Sequence, residues 1–264
     1  MFYIPLIASF VWIVKQQFHD LSQYQQELNG RSQILTVSQL EQLVAEKRLN
    51  MSNGGDISAQ IDALEIVTAE KQILAEGWQA VLASEKQFSD FVMFYDKTLA
   101  LRESLSAVSG LSREPDPQAF YLAEAAVIRM PAMVEYLSRI KDLTYSIISN
   151  DGFSAETYTL LVALDNRPDE LQLQYKKTNE QLKRVAPNMF PEYLNQYDEL
   201  TLSLDEFQAQ LRGKVINPDR ISWSANQAQS LGDTEYQKLL ALMSTSEELL
   251  VQRIEKLKNS STQT

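Results

Sequence analysis

The sequence contains no cysteine and only one histidine, His19. Disulfide frameworks, zinc sites with cysteine ligands and cysteine–histidine nucleophile pairs are therefore excluded, and so is a metal site built from several histidines. A lone imidazole could still act as a pH-sensing group. A chain without cysteine is compatible with an oxidising compartment, although it does not require one.

Glycine and proline are also scarce, with eight of each in 264 residues. Most of them fall in short clusters that separate long uninterrupted stretches, which is typical of long helices. An apolar content of 44% is enough to form a real core. The sequence therefore predicts an all-α fold of about six long antiparallel helices, either one elongated bundle or two stacked four-helix bundles that share long helices.

Several sequence motifs of known chemistry are missing. We find no glycine-rich phosphate loop, no G-x-S-x-G, no H-E-x-x-H and no carboxylate pair with the spacing of a glycosidase. The net charge of -11 and the lack of lysine- and arginine-rich runs make nucleic acid an unfavourable partner. We therefore expect neither an enzyme nor a bound cofactor or metal.

The N-terminal segment Phe2–Val14 carries no charge, and Lys15 then begins a strongly polar stretch. Because about 20 apolar residues are needed to cross a bilayer, this segment is too short to span it alone. We interpret residues 1–15 as part of a first transmembrane helix and residues 16–264 as an extracytoplasmic helical sensor domain. A cleaved signal peptide is less consistent with the flanking residues. The alternative is an ordinary apolar helix buried in a soluble core.

Apolar residues recur at helical spacing from the N-terminal segment to Arg48, which predicts one long first helix with its weakest point at Gly30. The cluster Asn50–Asp56 ends it, because its two glycines permit a chain reversal. The range Ile57–Val108 contains one glycine and no proline. It predicts a single very long helix or two helices joined near Ser84.

The next helix is predicted to begin at Asp116, as N-cap, with Pro117 in the first helical position, and to run to Ser149. Pro131 should bend it, because proline removes a backbone hydrogen bond and clashes with the preceding turn. The last helix is predicted over Asp219–Lys258. Its coiled-coil-like seam consists of Leu239, Met243, Ser246, Leu250 and Leu257.

The central part of the sequence resembles a known pattern. The helical sensor regions of bacterial chemoreceptors, membrane diguanylate cyclases and hybrid histidine kinases often show SGL, D-P-D, YYL, LP and E-L-x-R in that order. The matching residues here are Gly110–Leu122, Met130–Pro131 and Glu135–Arg139, with Glu27 and Gly30 as an upstream E-x-x-G. The resemblance implies a homodimeric receptor with a second membrane helix after Thr264.

Two arginines flank the expected bend at Pro131, and together with two neighbours they are our candidate ligand-binding residues: Arg129, Arg139, Tyr121 and Glu135. A guanidinium group beside an opened helix can hold a carboxylate with two hydrogen bonds. The alternative is that Arg139 pairs with Glu135 one turn earlier, that Arg129 is solvated and that Tyr121 packs in the core.

A second candidate surface lies at the first interhelical turn, where Arg48, Asn50, Asn53 and Asp56 come together. Polar side chains at a membrane-distal tip could dock a partner protein. Turn chemistry explains them equally, because Gly54 and Gly55 favour the reversal and the aspartate caps the next helix.

These observations favour signal reception outside the inner membrane, with the sensor region facing the periplasm. The resemblance implies a methyl-accepting chemotaxis receptor, or else the sensor of a histidine kinase or diguanylate cyclase. Its stimulus would be an unknown small molecule or a periplasmic binding protein. A membrane-anchored helical scaffold that docks a partner protein is the alternative from a different class.

Overall fold

The computed structural model describes residues 3–49, 57–66, 68–84, 88–166, 168–187 and 191–263. The described residues form α-helices without strands, as predicted. Their ten α-helices are α1 (Tyr3–Leu49), α2 (Ser58–Asp62), α3 (Thr68–Ala83), α4 (Phe88–Ser109), α5 (Pro117–Ala123), α6 (Met130–Ser149), α7 (Ala155–Asp165), α8 (Pro168–Val185), α9 (Pro191–Leu211) and α10 (Ala225–Gln263).

The first helix is continuous from the apolar N-terminal segment to Leu49, which confirms the prediction of one long helix. Gly30 does not weaken it. Instead, the missing side chain lets the end of α4 approach, because a Cβ atom at this position would collide with Ser109. Within the described part of the chain, no helix combines the length and apolar character required for a membrane crossing.

The range Ile57–Val108 contains three helices rather than one or two. The predicted break near Ser84 is confirmed, and a second break separates α2 from α3. Distant side chains satisfy the backbone there: Lys71 donates to the carbonyl of Asp62 at 2.7 Å, and Gln33 of α1 donates to that of Glu65 at 2.8 Å. These bonds replace the helical ones that the break removes.

The start of α5 has the predicted geometry, because the backbone N–H of Ala119 donates to the Asp116 carboxylate at 2.9 Å and Pro117 occupies the first turn. Just before Pro131, where the sequence predicts a bend, a π-helical segment, Glu124–Arg129, joins α5 to α6. A π-helical turn accommodates the loss of the backbone hydrogen bond that Pro131 cannot donate.

The predicted start of the last helix at Asp219 is wrong, because α10 begins at Ala225. Ser224 accepts a hydrogen bond from the backbone N–H of Gln227 at 3.3 Å, and the Gln227 side chain accepts one from the backbone of Ser224 at 3.0 Å. This reciprocal capping fixes the start of the helix. The seam residues Leu239, Met243, Ser246 and Leu250 are buried, as predicted, whereas Leu257 is only partly buried.

Helices α1, α4, α6 and α10 pack around a common core, and α9 also packs against α10. Near the middle of α1, Gln25 accepts a hydrogen bond from Lys258 of α10 at 3.2 Å. Farther along α1, Arg31 interacts electrostatically with Glu247, which comes earlier in α10. The two helices are therefore antiparallel, and the N-terminal end of α1 leaves the bundle beside the C-terminal end of α10.

Candidate ligand pocket and terminal junction

A pocket with a free volume of about 80 Å³ opens between α1, α4 and α6. Its polar wall consists of Glu41, Tyr95, Asp96, Arg102, Glu135 and Arg139, and its apolar wall includes Pro131, Leu164 and Leu171. We refer to it as the Arg102 pocket. Helical periodicity explains the lining: Tyr95, Leu99 and Arg102 follow one another at i, i+4 and i+7 on one face of α4.

The Arg102 side chain is only 1% exposed, and it is the largest of the fully buried side chains among the described residues. Its Nε lies 3.1 Å from both carboxylate oxygens of Glu41 on α1, and its Nη2 donates to Ser38 Oγ at 2.6 Å. The Nη1 atom is buried and has no hydrogen-bond partner.

The mouth of the pocket is formed by Arg139 and two carboxylates. Arg139 Nε donates to Glu135 one turn earlier, and its Nη2 lies 3.6 Å from Asp96 of α4. The guanidinium carbon also lies 5.8 Å from the centroid of the Tyr95 ring. Asp96 keeps 66% of its side-chain surface exposed. The mouth is therefore acidic and accessible, whereas Arg102 forms a buried cationic end.

Another acidic group lies near Arg102 on the α10 side. Burial raises the pKa of the Glu247 carboxyl, while the charges of Arg31 and Arg102 act in the opposite direction. Glu247 does not supply the acceptor that Nη1 lacks. The pocket therefore places a buried, oriented guanidinium group among carboxylates that already neutralise most of its charge.

The structure brings together two of the four predicted ligand-binding residues, Glu135 and Arg139, in the Arg102 pocket. They pair with each other, as in the alternative interpretation. Arg129 lies outside this pocket and is not simply solvated, because it donates to Glu124 at 2.6 Å and to Gln174 of α8 at 2.6 Å. Tyr121 packs edge-to-face on Phe120 with ring centroids 5.1 Å apart, away from the pocket lining.

The predicted tip surface is largely outside the described residues. Asn50, Asn53 and Asp56 fall in the range that the structure does not describe, and for Arg48 only the helical backbone is described. The tip therefore stays a prediction.

Sequence reasoning missed Arg102, Glu41, Tyr95 and Asp96 as site residues. One signal was available for Arg102, because it interrupts the apolar stripe of α4 seven residues after Tyr95. A charge on such a stripe requires a buried partner. Its partner Glu41 lies 61 residues earlier, so no local pattern identifies the pair.

A second polar cluster lies where α1, the α4–α5 connection and α10 meet, and we call it the terminal junction. Its carboxyl groups Glu27 and Glu114 are buried. Gly110 ends α4 with a positive φ of 91°, and a Cβ atom there would lie 3.7 Å from Glu27 Oε1. Arg253 of α10 donates to both carboxylate oxygens of Asp116 at 2.9 and 2.6 Å.

The terminal junction contains several residues that carry the sequence resemblance. Glu27 and Gly30 contact the Ser109–Gly110 turn, and Asp116 joins this turn to α10. These residues therefore have a shared structural role, which is to hold both terminal helices against the centre of the chain. Among the described residues, no group of three or more His, Asp or Glu side chains could hold a metal ion.

We compared the chain with protein-family models, curated proteins and solved structures, and none of the three comparisons found a match.

Proposed function

We propose that this chain is the signal-sensing region of a bacterial membrane receptor, facing the periplasm, and that a small ligand binds in the Arg102 pocket. The observation that carries the proposal is an open pocket of about 80 Å³ among the helices, which combines an apolar wall with the charged side chains of Glu135 and Arg139. Such a pocket between helices is a typical place for a ligand.

The arrangement of the terminal helices supports the receptor part of the proposal. α1 and α10 leave the bundle at the same end, which is the geometry required if both continue into one membrane. From Gln25, where α10 still contacts it, α1 extends back to Tyr3 over about 33 Å. The chain would then be anchored through α1 and would act as a homodimer, as the sequence resemblance implies.

The pocket also has a direct mechanical route to that end. Ser38 and Glu41 of α1 hold Arg102, and they lie about 20 and 24 Å along the same helix from Gln25. A ligand that binds one arrangement of α1 against α4 and α6 more tightly than another shifts the balance between them. A continuous helix carries that shift towards the membrane, whereas a loop would absorb it.

The signal would pass to an intracellular module. Chemotaxis signalling is our first choice, by resemblance, and histidine kinase or diguanylate cyclase output is the alternative. A helical scaffold that docks a partner protein is the alternative without a small ligand, and the experiment below distinguishes it.

Spin-label distances test the proposal, because the cysteine-free chain accepts two labels at chosen sites without background thiols. Cysteines at Ser22 of α1 and Asn259 of α10 would report the relative position of the terminal helices. A pair at Ser22 and Asn29, within α1, is the control that should not change. All three positions are exposed.

Thermal unfolding with a panel of small metabolites identifies the ligand for this measurement. A ligand at about 100 times its Kd adds about 2.7 kcal/mol to the free energy of unfolding. We expect that the stabilising compound also changes the Ser22–Asn259 distance and leaves the control distance unchanged. A panel that never raises the unfolding temperature would contradict the proposal and favour the scaffold.

A further inference from the structure

The terminal junction contains two neighbouring carboxyl groups that are removed from solvent. Glu27 on α1 and Glu114 in the connection between α4 and α5 are 0% and 5% exposed. One oxygen of each group has a donor: Glu27 Oε1 accepts from Gln23, and Glu114 Oε1 accepts from the backbone N–H of Asp116. The other oxygen of each group, Oε2, is buried and has no hydrogen-bond partner. Two full negative charges would therefore be poorly compensated here.

The surroundings of this carboxyl pair restrict what can neutralise it. Arg253 of α10 interacts electrostatically with Glu114, but its hydrogen bonds go to Asp116. Arg31, one turn farther along α1, interacts with Glu247 of α10. Calcium and magnesium ions need about six or more ligands, which two carboxyl groups do not supply. A proton needs none of this, because it cancels one charge and provides the donor that a neighbouring carboxylate oxygen lacks.

The position of the pair links this proton to the arrangement of the terminal helices. Burial and then the contact with Glu114 raise the pKa of Glu27 to about 8, so the proton passes to the solvent near neutral pH. Its release leaves two adjacent carboxylates, which repel each other until α1 and the α4–α5 connection separate. Because Arg253 joins this connection to α10, such a separation also displaces α1 relative to α10.

We infer that Glu27 and Glu114 share one proton and form a pH-sensitive switch, whose deprotonation loosens α1 from the α4–α5 connection and shifts it against α10. The proton is held more tightly in one arrangement of the helices than in the other, so the pH sets the balance between them. The switch gives the chain a second stimulus besides a ligand in the Arg102 pocket. Its use in signalling rests on the proposed function, whereas the movement itself does not.

Other titratable groups also face this part of α1. They are Tyr24 and Arg31 on α1 itself, Asp116 in the connection, and Glu247, Arg253 and Lys258 on α10. From α4, the uncharged Ser109 contacts α1 at Gly30. His19, the single histidine, is exposed about two turns before Glu27. A histidine ordinarily changes charge between about pH 5 and 8, so His19→Gln is the control variant.

Infrared spectra of the full 264-residue chain at about pH 6 and about pH 9 test whether the pair holds a proton, because only a protonated carboxyl group has an acid carbonyl band. We expect this band at the lower pH, its loss at the higher pH, and a weaker band at the lower pH in Glu27→Gln. That variant should fold, because the amide keeps the shape of the neutral carboxyl group. A band of equal strength in Glu27→Gln would overturn the inference.

Spin-label distances over the same pH range test the movement. We expect the distance between labels at Ser22 and Asn259 to change by about 1–2 Å in the parent chain and in His19→Gln. In Glu27→Gln it should keep its low-pH value throughout, and the Ser22–Asn29 control distance should not change. A constant Ser22–Asn259 distance in the parent chain, or the same change in Glu27→Gln, would contradict the switch.

The Glu114→Gln variant tests the sharing of the proton. The amide removes one charge and can donate a hydrogen bond to the Glu27 carboxylate, so the ionised form of Glu27 is favoured. The change in distance should therefore occur at a pH lower by at least about one unit than in the parent chain. An unchanged midpoint would mean that Glu114 does not share the proton.

This inference and the ligand proposal fail in different ways. If a compound from the panel stabilises the chain and moves α1 against α10 but pH does not, the switch is wrong and the sensor proposal stands. If pH moves the helices but no compound stabilises the chain, the ligand proposal is wrong and the switch stands.

Discussion

The carboxyl group of Glu27 on α1 lies beside that of Glu114 in the connection between α4 and α5, and both side chains are buried. Gln23 donates to Glu27 Oε1 at 3.0 Å, and the backbone N–H of Asp116 donates to Glu114 Oε1 at 3.0 Å. From α10, Arg253 faces the same cluster and pairs with Asp116. Burial, followed by the contact with Glu114, raises the pKa of Glu27 to about 8.

This pKa predicts that the chain becomes less stable as the pH rises. The ordinary pKa of Glu27 is 4.5, so the folded chain holds its proton more tightly than the unfolded chain. The contribution of Glu27 to the free energy of unfolding is complete below pH 4.5. It is lost as the pH rises towards 8, by up to about 1.4 kcal/mol per pH unit. Glu247 contributes in the same direction, because its pKa is also raised.

Urea unfolding between about pH 5 and pH 8 measures this slope. Glu27→Gln should reduce it, because an amide keeps the shape of the neutral carboxyl group without titrating. Glu206→Gln, an exposed change on α9, is the control that should keep the parent slope. If the slope in Glu27→Gln equals that of the parent chain, Glu27 does not hold a proton in the folded chain.

The features that were predicted from sequence depend on neighbours along the chain. The Asp116 cap and Pro117 lie within one turn of the residues that they affect, and the seam of α10 follows from its own periodicity. The break between α2 and α3 was missed, because Gln33 stabilises it from α1, 32 residues away. The Arg102 pocket was missed for the same reason, since each of its walls looks like an ordinary helix until the helices pack.

Arg102 should be essential for stability as well as for the pocket. Arg102→Met removes the guanidinium group from a Glu41 side chain that is only 13% exposed, and an unpaired carboxylate in such a place costs about 3–5 kcal/mol. Adding Glu41→Met should recover much of that loss, because no charge then stays buried. Chemical unfolding of the single and double variants measures both the loss of stability and its recovery.

The control for Arg102 is an exposed ion pair. Lys183 and Asp198 lie 3.2 Å apart with side chains 42% and 57% exposed. Lys183→Met should therefore cost less than about 1 kcal/mol. An Arg102→Met variant as stable as Lys183→Met would mean that the guanidinium group is not buried against Glu41.

Close packing of α1 on the end of α4 predicts a second stability effect. Gly30→Ala introduces a Cβ atom where Ser109 already lies, and such overpacking costs about 1–3 kcal/mol. The double variant Gly30→Ala with Ser109→Gly should recover part of the loss, because it removes the opposing side chain. Gly213→Ala is the matched control: a Cβ atom there meets nothing within 4 Å, so we expect no loss. Thermal unfolding distinguishes these outcomes, and equal behaviour of Gly30→Ala and Gly213→Ala would contradict the contact.

Asp116 has two roles that substitutions can separate, because it caps α5 and binds Arg253 of α10. Burial opposes its ionisation, but the hydrogen bonds from Arg253 and from the backbone of Ala119 lower its pKa overall. The stability that it provides is therefore present above pH 3.8 and is lost as the pH falls through the lower pKa of the folded chain.

Asp116→Asn keeps a good cap and should lose only the charged contact, about 1.5 kcal/mol at neutral pH. Asp116→Ala should lose about 1 kcal/mol more, because the cap is also removed. Urea unfolding at neutral and acidic pH tests both variants. In acid, each variant should recover the part of its lost stability that comes from the charged contact, whereas Asp116→Ala should keep the loss that comes from the cap. If Asp116→Asn matched the parent chain at neutral pH, the bond between α10 and the start of α5 would contribute nothing to holding the terminal junction together.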